Sequence, residues 1–101
     1  MAADVNFNHV LVVFQEFGPS RGSPIEERWR SRFPSATADQ MVVWKSRCEA
    51  IQERAFAIAD DVWGGHLTRQ AAADSLAALF PELDQERVGR TFSQAMYFAS
   101  K

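Results

Sequence analysis

The side chains best suited to chemistry are two adjacent carboxylates and a histidine around a glycine pair. Asp60 and Asp61 stand shortly before the Gly-Gly pair, and His66 follows it directly. Carboxylates and an imidazole gathered at one turn could bind a divalent metal ion or exchange protons with a substrate. A solvated helix end explains the same residues, and we favour it because one such cluster is weak evidence for a site. A small enzyme or metal site at this turn is therefore an alternative function.

The remaining reactive side chains offer no second constellation. Neither His9 nor His66 stands at metal-ligand spacing from the other or from Cys48. Cys48 lies among apolar residues at helical spacing, where a thiol is usually inert packing. We therefore expect no catalytic residue, no metal and no cofactor, and we expect the protein not to be an enzyme.

Positive charge is concentrated around a tryptophan. Arg28, Arg30 and Arg32 flank Trp29. Guanidinium groups bind carboxylates in a planar, two-pronged geometry, and tryptophan is enriched where binding energy concentrates. This arginine group is either a docking patch for an acidic-rimmed partner or a solvated helix face, and the sequence leaves both interpretations open.

The segment LTRQAAADSL at residues 67–76 is similar to the first helix of bacterial helix-turn-helix DNA binders. That resemblance implies a recognition helix, which would carry Gln85, Arg87, Arg90 and Gln94. The connection LFPELD at residues 79–84 departs from the motif, because it is longer and more acidic than the tight turn between its helices. A DNA-binding regulator is therefore a further alternative function. Our expectation is that the chain does not bind nucleic acid.

One apolar stripe organises the middle of the chain. Its members recur at alternating steps of three and four, which keeps them on one side of a helix. They are Met41, Trp44, Cys48, Ile51, Ala55, Ile58 and Val62. We predict a helix from Ala38 to Trp63, started by a capping box of Thr37 with Gln40 and stopped by the Gly-Gly pair.

Shorter helices are predicted on both sides of this long helix. Residues 8–17 contain the strand-like run VLVVF, yet their apolar spacing favours a helix capped by Asn8, and strand stays open as the alternative. Ser23 is expected to cap a helix that ends at Phe33. Thr68 and Asp84 are expected to cap the two C-terminal helices, with Leu79 among the inward side chains.

These elements predict a single all-α domain over residues 1–101. The expected fold is a compact bundle of four to five helices with one long central helix and a C-terminal helical hairpin. With 47% apolar residues, the chain has enough material for a core. A helix of about 26 residues spans about 39 Å, more than the diameter of about 33 Å expected for a domain of this size. Off-stripe aromatics such as Phe56 and Trp63 therefore need cover from the N-terminal helices or from another chain.

The expected function is non-enzymatic protein binding by a small bacterial or phage interaction protein, such as an adaptor, immunity protein or inhibitor. The candidate contact residues are Arg28, Trp29, Arg30, Arg32, Phe56 and Trp63. The partner is a protein of unknown identity or a second copy of the chain held through Phe56 and Trp63. A net charge of −2 argues mildly against nucleic acid. Without a basic N-terminal region or a long apolar run, we expect no membrane span and a cytoplasmic location.

Overall fold

The computed structural model describes residues 6–16 and 24–100, and all regular structure within them is α-helical. The helices are α1 (Phe7–Phe14), α2 (Ile25–Arg32), α3 (Ala38–Trp63), α4 (Arg69–Leu79) and α5 (Gln85–Ala99). The chain forms two compact units: unit 1 ends at Cys48 and unit 2 begins at Glu49, so α3 contributes its first part to one and its second part to the other. The predicted all-α class, with a long helix and a C-terminal helix pair, is confirmed.

Both ends of α3 lie where local chemistry predicts them. The backbone N–H of Thr37 donates to Gln40 Oε1 at 2.9 Å, and the Gln40 N–H donates to Thr37 Oγ1 at 3.1 Å, which is a complete capping box. At the other end Gly65 adopts a φ of +80°, a left-handed conformation that glycine enters without steric penalty. The predicted helix bounds are confirmed.

The apolar stripe faces the core along the whole of α3. Cys48, Ile51 and Ala55 are almost completely buried, and Met41 and Ile58 are nearly so. Trp44 and Val62 are half-buried. Buried positions therefore occur on both sides of residue 48, and each part of the stripe supplies core to its own unit.

In unit 1, α1 is a helix and not a strand. Its N-cap is Asn6, whose side chain accepts the backbone N–H of Asn8 at 2.9 Å. The expectation that Asn8 caps this helix is wrong. Asn8 instead lies buried in the first turn, and its side-chain amide also donates to Asn6 Oδ1 at 2.8 Å. The helix ends at Phe14 with Gln15 as its C-cap, so the predicted extension through residues 15–16 is wrong, and residue 17 lies outside the described residues.

Helix α2 packs on α1 through one tryptophan. Trp29 is 0% exposed, and its indole N–H donates to the Val10 carbonyl at 3.1 Å. The rings of Phe14 and Trp44 lie 6.4 Å and 5.5 Å from it, centroid to centroid. The predicted cap, Ser23, lies outside the described residues, and the helix begins after Pro24.

A charged pair joins the first turn of α2 to α3. The pKa of Glu26 is lowered, first by a hydrogen bond from its own backbone N–H at the helix start and then by Lys45, whose Nζ lies 3.4 Å from the carboxylate. Because the pKa falls on folding, the stabilisation is present at neutral pH and is lost as the pH drops through the lowered value. The contribution is small, since the Lys45 and Glu26 side chains are 46% and 40% exposed to solvent, respectively.

In unit 2, α4 and α5 begin at the predicted caps. Thr68 Oγ1 accepts the Ala71 N–H at 3.1 Å, and the Asp84 carboxylate accepts the Arg87 N–H at 2.8 Å. The buried side chains of the two helices are Ala72, Leu76, Val88, Thr91, Phe92, Ala95 and Met96. Leu79 was expected to face inward, but it is 44% exposed, because Phe80 fills the buried position at the end of α4.

The depth of burial along α3 predicts a steep contrast between neighbouring positions. We expect Ile51→Ala to lower the free energy of unfolding by about 2–4 kcal/mol, because it leaves a cavity at a fully buried site. Glu53→Ala, on the exposed face, is expected to change it by less than about 0.5 kcal/mol. Urea unfolding followed by circular dichroism measures both, and equal costs would contradict this orientation of α3.

Candidate protein-binding surface

The arginine group of α2 is largely committed to contacts within unit 1. Arg28 Nη1 donates to the Val13 carbonyl at 2.9 Å, near the C-terminal end of α1, where partial negative charge gathers. Arg32 Nη2 pairs with Glu16 Oε2 at 2.7 Å. Two of the three arginines therefore tie α2 to the end of α1.

The remaining members of the group, Trp29 and Arg30, differ in burial. Trp29 is completely buried and offers no surface to a partner in this structure, so its expected role as a docking anchor is corrected to a core role. Arg30 is exposed, and its charge contributes to the lowered pKa of Glu26. The structure therefore leaves Arg30 and the exposed part of Arg32 as the surface of this group.

These contacts predict that Arg28 stabilises the fold. We expect Arg28→Ala to lower the free energy of unfolding by about 1–2 kcal/mol, because the hydrogen bond from its charged guanidinium to a carbonyl is lost. Arg30→Ala removes the same charge from an exposed position and is expected to cost less than about 0.5 kcal/mol. Thermal unfolding of the two variants compares them directly, and an equal, negligible effect would restore the arginine group as a free surface.

In unit 2, the side chain of Trp63 combines exposure with a fixed position. It is 53% exposed, yet its indole N–H donates to the Met96 carbonyl near the end of α5 at 3.1 Å. The guanidinium carbon of Arg69 lies 5.9 Å from the ring centroid, within the range of a cation–π contact. An exposed ring is thus held by a hydrogen bond on one helix and a cation on another.

Further aromatic rings extend this surface along α3 and α5. Phe56 contacts Phe98 edge to face at 6.2 Å, and Phe98 contacts Tyr97 in the same geometry at 5.4 Å. Tyr97 is 57% exposed, whereas Phe56 and Phe98 are half-buried. We call Trp63 and Tyr97, with Phe56 and Phe98 behind them and Arg69 over Trp63, the aromatic surface. Tyr97 and Arg69 were not identified from the sequence.

The turn after α3 is closed by the backbone of Asp61 and by His66. The His66 backbone N–H donates to the Asp61 carbonyl at 2.9 Å, and a Cβ at Gly64 would lie 2.9 Å from the His66 ring. The ring therefore packs on a glycine that has no side chain to displace it. Asp60, Asp61 and His66 are exposed, and within residues 6–16 and 24–100 no group of three or more His, Cys, Asp or Glu could hold a metal ion.

The helix pair α4–α5 differs from a helix-turn-helix reader in its connection. Residues 80–84 separate the helices, and Asp84 uses its carboxylate to cap α5. Glu82 and Glu86 lie on either side of this cap. The start of α5 is therefore acidic where a recognition helix meets DNA. Arg90 is exposed and Arg87 half-buried, further along the same helix.

This charge distribution predicts the outcome of a DNA-binding assay. We expect no complex between duplex DNA and protein at up to about 10 µM in a gel-shift titration at moderate salt. DNA binding depends on basic side chains that neutralise phosphates, and the start of α5 is acidic. A complex that Arg87→Ala or Arg90→Ala weakens would instead support the helix-turn-helix alternative.

The chain matches no protein-family model, and neither a curated protein nor a solved structure matches it. None of the helices in the described part of the chain is both long enough and apolar enough to cross a membrane.

Proposed function

We propose that the chain is a non-enzymatic protein-binding module that contacts its partner through the aromatic surface. The observation that carries the proposal is the state of Trp63, which is more than half exposed while two contacts fix its ring. An exposed tryptophan with a satisfied N–H gains nothing further from water at that atom. Its ring is available to be covered by another protein.

The fixed ring favours binding for an energetic reason. Association is opposed by the loss of side-chain freedom at an interface, and a ring already held in place loses little. Trp, Tyr and Arg are also the residue types that most often dominate the energy of protein interfaces. Trp63, Tyr97 and Arg69 supply all three types, and Phe56 and Phe98 support them from behind.

The charge beside the ring indicates the kind of partner. Arg69 places a guanidinium group over Trp63, so an apolar partner surface with a carboxylate at its rim would match both. A second copy of the chain is a simpler partner, although Phe98 already covers part of Phe56. The proposal thus places the chain among small interaction proteins, such as adaptors, immunity proteins or inhibitors, in the cytoplasm of a bacterium or of a phage-infected cell.

Site-specific photocross-linking tests this proposal. A photoreactive phenylalanine analogue at position 97 is expected to capture a defined protein in a lysate of the source organism, or a second copy of the chain. The same analogue at position 86, exposed at the other end of α5, is the matched control. We expect capture at position 97 and none at position 86.

The dependence on Trp63 decides the outcome. We expect Trp63→Ala, made in the background carrying the analogue at position 97, to reduce capture at least about tenfold, the loss typical of an interface hot spot. Trp63→Phe, which keeps an aromatic ring, is expected to retain part of it. Circular dichroism checks that both variants are folded. Equal capture at the two positions, or capture that Trp63→Ala leaves unchanged, would contradict the proposal.

A further inference from the structure

An open groove of about 430 Å³ lies between the second half of α3 and α4, within unit 2. Buried Ile58 forms part of its lining, and Leu79 presents an apolar side chain that is 44% exposed. Small residues, Ala57 on α3 and Ala78 on α4, keep the sides of the groove low. Apolar grooves between helices are the surfaces into which a further helix packs.

Two opposite charges flank the α3 side of this groove and have no partner in it. Arg54 and Asp61 both line the groove, seven positions apart on the helix, or about 10 Å along its axis. Within the described parts of the chain, neither side chain makes a hydrogen bond or an ion pair with another residue. Their separation is too large for them to pair with each other.

This spacing makes the groove edge complementary to itself. If a second α3 lies antiparallel, with a two-fold axis between residues 57 and 58, Arg54 of each copy stands opposite Asp61 of the other. A two-fold interface repeats every contact, so two ion pairs form at once. Ala57 lies beside the axis, where its small side chain allows the helices to approach closely. Any other helix in this position would need a carboxylate opposite Arg54 and a cation opposite Asp61. An antiparallel second copy of α3 already meets both requirements.

We propose that a second copy of this chain occupies the groove, through antiparallel pairing of the second halves of α3. The exposed Leu79 of each copy then contributes apolar area beside the paired helices. Glu53 and Asp60 lie on the exposed face of α3, where salt screens their charges. The proposal concerns another side of α3 than Phe56 and Trp63, and it does not rest on the aromatic surface.

Sedimentation velocity of the full chain tests the association. An interface of two half-helices is small, so we expect a dimer with a Kd of about 10–100 µM, weakened at high salt. Arg54→Asp alone and Asp61→Arg alone each place like charges opposite one another and are expected to weaken the dimer at least about tenfold. Asp60→Arg makes the same change in net charge as Asp61→Arg on the solvent side of α3 and is the matched control, expected to leave the dimer intact.

Mixing the two weakened variants provides the decisive measurement. In the mixture, the carboxylate introduced at position 54 meets the guanidinium introduced at position 61, and the native Asp61 of one variant meets the native Arg54 of the other. We therefore expect a heterodimer of near wild-type affinity from two proteins that each self-associate at least about tenfold more weakly than the wild type. A loss of folding in either variant could not produce this recovery, and circular dichroism verifies each fold separately.

Several results would overturn the proposal. The first is a wild-type chain that stays monomeric up to about 0.5 mM, well above the Kd expected for a small interface. The second is a single variant that associates as the wild type does. The third is a mixture that shows no heterodimer. A dimer that Trp63→Ala abolishes while the charge variants leave it intact would assign self-association to the aromatic surface. That result would support the proposed function and exclude the groove. A dimer that depends on the charges supports the groove whether or not Trp63→Ala alters cross-linking.

Discussion

The burial of one face of α3 is the constraint on which both units depend. In unit 1 the half-buried ring of Trp44 meets Trp29 of α2 and Phe33 just beyond it. In unit 2 Ile51 and Ile58, members of the same apolar stripe, are buried in the core of that unit. A single long helix can serve two units because its apolar residues return every three or four positions without a break. The remaining helices are too short to be stable alone and acquire their stability by packing.

Local signals made α3 predictable, whereas contacts between distant residues made the arginine group unpredictable. The ends of α3 depend on Thr37, Gln40 and the Gly-Gly pair, all within a few positions of the helix. The partners of Arg28 and Arg32 are Val13 and Glu16, which lie 15 and 16 positions away along the chain. In sequence the arginines therefore resemble a free patch, and they are identified as fold contacts once α2 is packed on α1.

Two tryptophans show how one hydrogen-bonding pattern serves two roles. Trp29 and Trp63 each donate the indole N–H to a backbone carbonyl at 3.1 Å, yet the first is completely buried and the second is 53% exposed. A satisfied N–H permits burial, since no donor is left without a partner. The same bond on the surface fixes the ring in place. The sequence predicts a contact role for both residues and does not distinguish core from contact surface. Burial distinguished them.

The second half of α3 uses three directions around its axis for three purposes. Ile51 and Ile58 face the core, the Phe56 and Trp63 side meets α5, and the Arg54 and Asp61 side borders the groove beside α4. The first direction is saturated by packing, since its side chains are buried. The other two directions leave side chains exposed. The Phe56 and Trp63 side exposes aromatic ring area, and the Arg54 and Asp61 side exposes two opposite charges that do not pair with each other. Ring area contributes affinity to any partner of suitable shape, whereas charges at a fixed spacing discriminate between partners. Under the two proposals, the two surfaces therefore make different kinds of contact.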